Sequence, residues 1–109
     1  MININKFINL KGKTALVTGA AGYLGKKIVS TLDGLGADLI VTDISKEALK
    51  LYNKKKYKVI SCDLSNNSAR NKLIKEINKL DILINNAAYV GTSDLKGWNT
   101  NFKNQNLDT

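Results

Sequence analysis

An apolar run, Thr14-Ala15-Leu16-Val17, leads directly into Thr18-Gly19-Ala20-Ala21-Gly22-Tyr23-Leu24-Gly25, and an amphipathic segment follows. No other stretch constrains the fold as tightly. A buried strand, a glycine-rich turn and a helix start, in that order, form a cradle for the pyrophosphate of a dinucleotide. The first N–H groups of a helix have no intrahelical acceptor, and the positive end of the helix dipole lies there too. Each glycine has a physical task in such a turn. Gly19 lets the chain bend sharply after the strand, Gly22 lets backbone approach the ligand, and Gly25 lets the helix pack closely on the sheet. A lone glycine repeat is a weak signal, and the strand before it and the helix after it supply the confirming context.

The rest of the chain repeats the alternation of strand and helix. Residues 13–18 read as a first strand, and residues 23–35 as a helix with Leu24, Ile28, Leu32 and Leu35 on one face, ended by Gly34 and Gly36. A second strand spans 38–42. Ser45 caps a helix over 46–53, with Glu47 in its first turn toward the positive end of the dipole. A third strand spans 57–61. Ser65 caps a further helix whose apolar face is Ala69, Leu73, Ile74, Ile77 and Leu80, and a fourth strand spans 81–85. After Asn86 the sequence turns polar and loop-like. Strands that are apolar without clean alternation are buried on both faces. The expected class is therefore α/β: a Rossmann-type doubly wound parallel sheet, incomplete, with strand order 3-2-1-4 from right-handed crossovers. Residues 1–109 form one domain.

Composition excludes several functions. The formal charge is +8, from 17 basic and 9 acidic residues, yet Arg70 is the sole arginine. Readers of nucleic acid lean on arginine for bidentate contacts, so no nucleic-acid partner is expected. With no His and only Cys62, a structural zinc site and an intrachain disulfide are both excluded. No apolar run approaches membrane-spanning length, and the start, Met1-Ile2-Asn3-Ile4-Asn5-Lys6-Phe7, lacks the apolar region of a secretory signal. A cytoplasmic location and no membrane partner are expected.

Asp43 ends the second strand, where a carboxylate can accept hydrogen bonds from an adenosine ribose diol. A 2′-phosphate would meet its negative charge, and Ile44, not a basic residue, follows. NAD is favoured over NADP.

These residues, together with Asp63-Leu64 after the third strand and Asn85-Asn86-Ala87-Ala88 after the fourth, resemble the N-terminal part of a short-chain dehydrogenase/reductase. The resemblance covers nearly the whole chain, with its motifs in the family's order. It implies an NAD(P)-dependent oxidoreductase that moves hydride between an alcohol and a ketone. By the same resemblance, Asp63 and Leu64 touch the adenine, and Asn85, Asn86 and Ala87 brace the sheet and line the cofactor channel. Tyr23 and Leu24 complete the turn, Tyr23 standing where many members carry a further glycine. Ala88 also replaces a glycine.

The family's catalytic Tyr-x-x-x-Lys has two formal matches here, Tyr23 with Lys27 and Tyr52 with Lys56. The first lies inside the phosphate turn and the second straddles a helix end, so no catalytic residue is assigned. Lys54-Lys55-Lys56-Tyr57-Lys58 falls at the amino edge of the sheet, opposite the ligand edge, and reads as a solvated turn. Cys62 reads as a small packed residue, and Trp98 as a loop-anchoring aromatic on the substrate side. Ile82-Leu83-Ile84 would be an uncharged edge strand, which invites pairing with another chain. The chain is thus expected to be a cofactor-binding N-terminal fragment, inactive alone, with homo-oligomerisation left open and a substrate only in an intact parent. The alternatives are a non-catalytic dinucleotide sensor or regulatory module, and a decayed gene product.

Overall fold

Apolar, β-branched runs dominate the centre of a four-stranded parallel sheet in the computed structural model, which describes residues 8–88. β1 (Thr14–Thr18) pairs with β2 (Asp38–Asp43) on one side and β4 (Ile82–Ile84) on the other, and β3 (Lys58–Ser61) pairs with β2. The order β3-β2-β1-β4 is the one expected from the sequence.

The two central strands are buried on both faces. Ala15, Val17, Leu39 and Val41 point to one side and join Val29 of helix α1 (Tyr23–Gly34) in the main core. Leu16 and Ile40, one residue out of phase, are also buried. Val17 and Val41 are 0% exposed, and burying each contributes about 1.5–3 kcal/mol. The crossovers β1 to β2 and β2 to β3 run the same way along the sheet and share a face. The crossover from β3 to β4, carrying α2 (Asn67–Lys75), runs the other way and takes the opposite face by the right-handed rule.

Three local expectations shift. The segment after β2 is a 3₁₀ turn over Ala48–Leu51 and not an α-helix over 46–53. Glu47, not Ser45, stands at its N-cap and makes no side-chain capping bond, while the Ser45 Oγ accepts the Ala48 N–H at 3.1 Å. Leu49 and Tyr52 both enter the main core.

α2 is capped by Asn66 and not by Ser65. The Asn66 side chain accepts the Ala69 N–H at 2.9 Å, while the Ser65 hydroxyl and N–H both donate to Asp63 Oδ1. α2 ends at Lys75, so Ile77 and Leu80 lie beyond it. Of its expected apolar face only Leu73 is buried, and Ile74 is 65% exposed.

On α1 the buried positions are Gly25 and Val29, with Ile28 and Leu32 packed beside them, while Leu24 is 58% exposed. Having no side chain at Gly25 seats the first turn directly on the loop, which turns Leu24 outward. Leu35 caps the helix, and Gly36 follows with φ +94.

Candidate functional site

The carboxyl ends of β1, β2 and β4 converge on the glycine turn. The crossovers leave β1 and arrive at β4 in opposite directions, so this is the switch point of the sheet, where ligands of open α/β sheets bind.

Gly19 occupies that point with φ +63. A Cβ there would lie 3.0 Å from the Ala87 Cα and N and 3.1 Å from the Asn86 side-chain nitrogen. The β4 segment therefore closes directly onto the turn. Gly25 is tighter still: a Cβ would sit 2.1 Å from the Gly19 carbonyl oxygen. Gly22 differs from both. It is exposed, has φ −76, and a Cβ would meet only the Gly19 oxygen at 3.4 Å.

Side chains from three other segments hold the turn from behind. Asp43 Oδ2 accepts the Ala21 N–H at 2.9 Å, and its Oδ1 accepts the Ile44 N–H at 2.8 Å. Asn86 donates from its side-chain amide to the Gly19 carbonyl at 3.2 Å. The Tyr52 hydroxyl donates to the Ala20 carbonyl at 2.6 Å from a buried position. The Ala20 N–H itself donates to the Thr42 carbonyl at 3.0 Å. Thr18 ties β1 to β4 in a similar way. Its Oγ1 accepts the N–H groups of Asn86 and Ala87 at 3.0 and 2.9 Å and donates to the Ile84 carbonyl at 3.4 Å.

In front of the turn the pattern reverses. Gly22 caps α1 without a side-chain hydrogen bond, and the first turn holds no acidic residue. The Gly22 N–H is occupied, donating to the Gly19 carbonyl at 3.2 Å. The N–H groups of Tyr23, Leu24 and Gly25 find no acceptor among the described residues. The open donors of the turn are thus residues 23–25. Tyr23, Leu24 and Ile44 are 77%, 58% and 67% exposed.

Asp63 and Leu64 follow β3, joined to Asp43 through the Cys62 N–H, which donates to the Asp43 carbonyl at 2.9 Å. The Ser65 hydroxyl, and then the Ser65 N–H, hold the Asp63 carboxyl below its ordinary pKa. Leu64 is half-buried, and its carbonyl accepts from Arg70 at 2.7 Å. Asn85 is exposed at the end of β4. Cys62 is buried, and burial pushes its thiol pKa up, as befits a packed residue. Trp98 lies outside the described residues.

The formal Tyr-x-x-x-Lys pairs do not assemble. Lys56 forms an ion pair with Asp33 at 2.8 Å, while the Tyr52 hydroxyl is committed to Ala20. Lys27 lies 4.8 Å over the Tyr23 ring, a stacked surface pair. A hollow of about 510 Å³ beside Tyr23, Lys26 and Lys27 and one of about 690 Å³ beside Ser61, Asp63 and Leu73 both leave out the glycines. The site is set by its donors and not by enclosure. Among the described residues, no cluster of potential metal ligands forms and no helix is long and apolar enough to cross a membrane.

Sequence reasoning left Thr18 and Tyr52 without roles. Thr18 stood in the motif, but its bonds to Asn86 and Ala87 need the register of β1 against β4. Tyr52 carried one legible signal, its spacing of three from Leu49, which places both on one side.

Sheet order, crossovers and glycine turn define a Rossmann-type α/β domain. The family model for short chain dehydrogenases matches residues 13–108, and the chain belongs to that family, whose members use NAD or NADP. It is 40% identical over 83 residues to a 3-oxoacyl-acyl-carrier-protein reductase of Rickettsia bellii, covering 73% of this chain and 34% of the relative. It is 40% identical over 98 residues to a tropinone reductase homolog of Arabidopsis thaliana, covering 80% and 37%. Among solved structures, 2-keto-3-deoxy-D-gluconate dehydrogenase from Streptococcus agalactiae superposes with a TM-score of 0.66 at 29% identity, covering 85% of this chain and 39% of that one. The chain spans about a third of the length of the curated relatives it matches.

Proposed function

We propose that residues 1–109 are the cofactor-binding portion of an NAD-dependent oxidoreductase. The observation that carries the reading is the row of N–H groups at Tyr23, Leu24 and Gly25, which find no acceptor among the described residues, in a first helical turn that holds no acidic residue. Such a row suits the diphosphate of a dinucleotide. Gly22 supports it. Neither backbone conformation nor internal packing demands a glycine there, so clearance for a ligand gives it a purpose.

Asp43 retains acceptor capacity after its two internal bonds, since a carboxylate offers about four lone-pair sites. It would take the ribose diol and repel a 2′-phosphate, which favours NAD over NADP. Asp63 and Leu64 would flank the adenine. Asn85, Asn86 and Ala87 would line the channel toward the nicotinamide, with Gly19 and Gly25 keeping turn and channel in contact. When bound, NAD supplies or accepts the hydride.

The relatives' names, a ketoacyl reductase and a keto-sugar-acid dehydrogenase among them, support a carbonyl–alcohol pair as the substrate of a longer protein. Residues 1–109 by themselves should bind without turnover, because Tyr52 and Lys56 are committed elsewhere. Calorimetric titration of the folded chain tests the reading. Saturable heat with NAD and weaker binding of NADP are expected. No heat with either cofactor overturns the proposal, and tighter binding of NADP overturns the role given to Asp43.

A further inference from the structure

Resting on that reading, we infer that Tyr52 is a positioning residue for the dinucleotide, one that acts through the peptide between Ala20 and Ala21. This peptide is gripped at both ends. Its carbonyl accepts the Tyr52 hydroxyl at 2.6 Å, and its N–H donates to Asp43 Oδ2 at 2.9 Å. Ala20 is 0% exposed and Tyr52 8% exposed, so the carbonyl is turned into the core. A flip of the same peptide would swing an oxygen with partial negative charge out of the core, while stranding a buried hydroxyl and the Asp43 carboxylate. The hydroxyl thus holds one carbonyl inward while the N–H groups of the next residues stay outward.

The ring is fixed independently of the hydroxyl. Tyr52 packs edge-on against Tyr57 with centroids 5.5 Å apart, in the same core as Leu49 and Val29. Removing the hydroxyl therefore leaves the ring's packing in place, and the effect of the one hydrogen bond can be read by itself.

Tyr52→Phe provides the test, compared with the unaltered 109-residue chain at a temperature where both are folded. NAD and ADP, which carry the diphosphate, should each bind about tenfold more weakly to the variant, the upper end of what one hydrogen bond supplies. Adenosine, which lacks the diphosphate, should bind both chains equally. A general loosening of the fold would weaken all three ligands. NAD affinity within twofold of the parent, or an equal loss for adenosine, overturns the inference while leaving dinucleotide binding intact. Absence of NAD binding by the parent overturns the reading on which the inference rests. If the variant does not fold, proton NMR of the unaltered chain decides. The Tyr52 hydroxyl proton should be seen in slow exchange and persist at saturating NAD, and its disappearance at saturation overturns the inference.

Discussion

The two edges of the sheet are built in opposite ways. At the amino edge the polar groups close on one another. The Asp81 carboxylate accepts the Thr14 N–H at 2.8 Å, the Asp81 N–H returns a bond to the Thr14 carbonyl, and Lys79 pairs with Asp81 at 3.4 Å. Asp33 at the end of α1 takes both Lys56 and the Tyr57 hydroxyl, which ties the helix to the approach to β3. At the carboxyl edge, none of the ion pairs among the described residues reaches the glycine turn. Side chains bond instead to backbone behind the turn, and three donors in front are left open. One edge satisfies itself, and the other is rigid but incomplete. A surface that is braced yet has open donors is prepared for a ligand, because little conformational freedom remains to be lost when the ligand arrives.

The largest effect should come from breaking the contact that makes the carboxyl edge rigid. Gly25→Ala places a methyl 2.1 Å from a backbone oxygen, so either the helix or the turn must move. The clash should cost about 3 kcal/mol, well above the roughly 1 kcal/mol that alanine gains over glycine inside a helix. A lower urea midpoint and loss of NAD binding together are expected, measured by circular dichroism and titration. An unchanged midpoint would mean that the turn is not seated as described.

Gly22→Ala sharpens the comparison, since it sits three residues away in the same loop. Its φ of −76 suits any residue, and the new methyl meets only one oxygen at 3.4 Å. Stability should stay within about 0.5–1 kcal/mol of the parent and could rise, because alanine restricts the unfolded chain. NAD affinity should fall about tenfold, or 1.4 kcal/mol, if backbone and diphosphate touch there. Gly25 then serves the fold and Gly22 the ligand. Equal affinity would remove the ligand role given to Gly22.

What could be read without coordinates follows the same division. The strand order was legible because apolar runs alternating with helical periodicity leave few topologies, and right-handed crossovers choose among them. The place of Asp43 at the end of a strand beside a glycine turn was legible. Its bond to the Ala21 N–H was not, since that depends on how the turn folds back over β2. Thr18 and Tyr52 were hidden for a related reason. Each bonds to backbone far away in sequence, Thr18 to residues 84–87 and Tyr52 to Ala20. Periodicity reports which face a side chain occupies, but not which carbonyl its hydroxyl finds. The 3₁₀ turn at Ala48–Leu51 escaped because Ser45 and Glu47 suit the start of a full helix equally well.

The smallest effect should lie at the amino edge, and it tests whether the two edges are energetically separate. Tyr57→Phe removes the hydroxyl that donates to Asp33 at 2.9 Å and keeps the ring against Tyr52. One hydrogen bond to a half-buried carboxylate is worth about 1 kcal/mol, so a modest fall in the urea midpoint is expected. NAD affinity should remain within twofold, because the Tyr52 hydroxyl and the turn are untouched. Acid gives the same bond a second signature. The hydrogen bond from Lys56, and after it that from Tyr57, hold Asp33 below its ordinary pKa of 3.8 against the opposing pull of burial. A carboxyl held low in the folded state adds stability above its unfolded pKa and loses it as pH falls through the folded value. The parent should therefore lose urea resistance below about pH 4, and the variant should lose less over the same window, since its Asp33 keeps only the Lys56 bond. Parallel acid curves for the two chains would show that Tyr57 does not hold Asp33 ionised. A fall in NAD affinity alongside the stability change would show that the amino edge supports the turn through the Tyr57–Tyr52 contact, and the two edges would have to be treated as one unit.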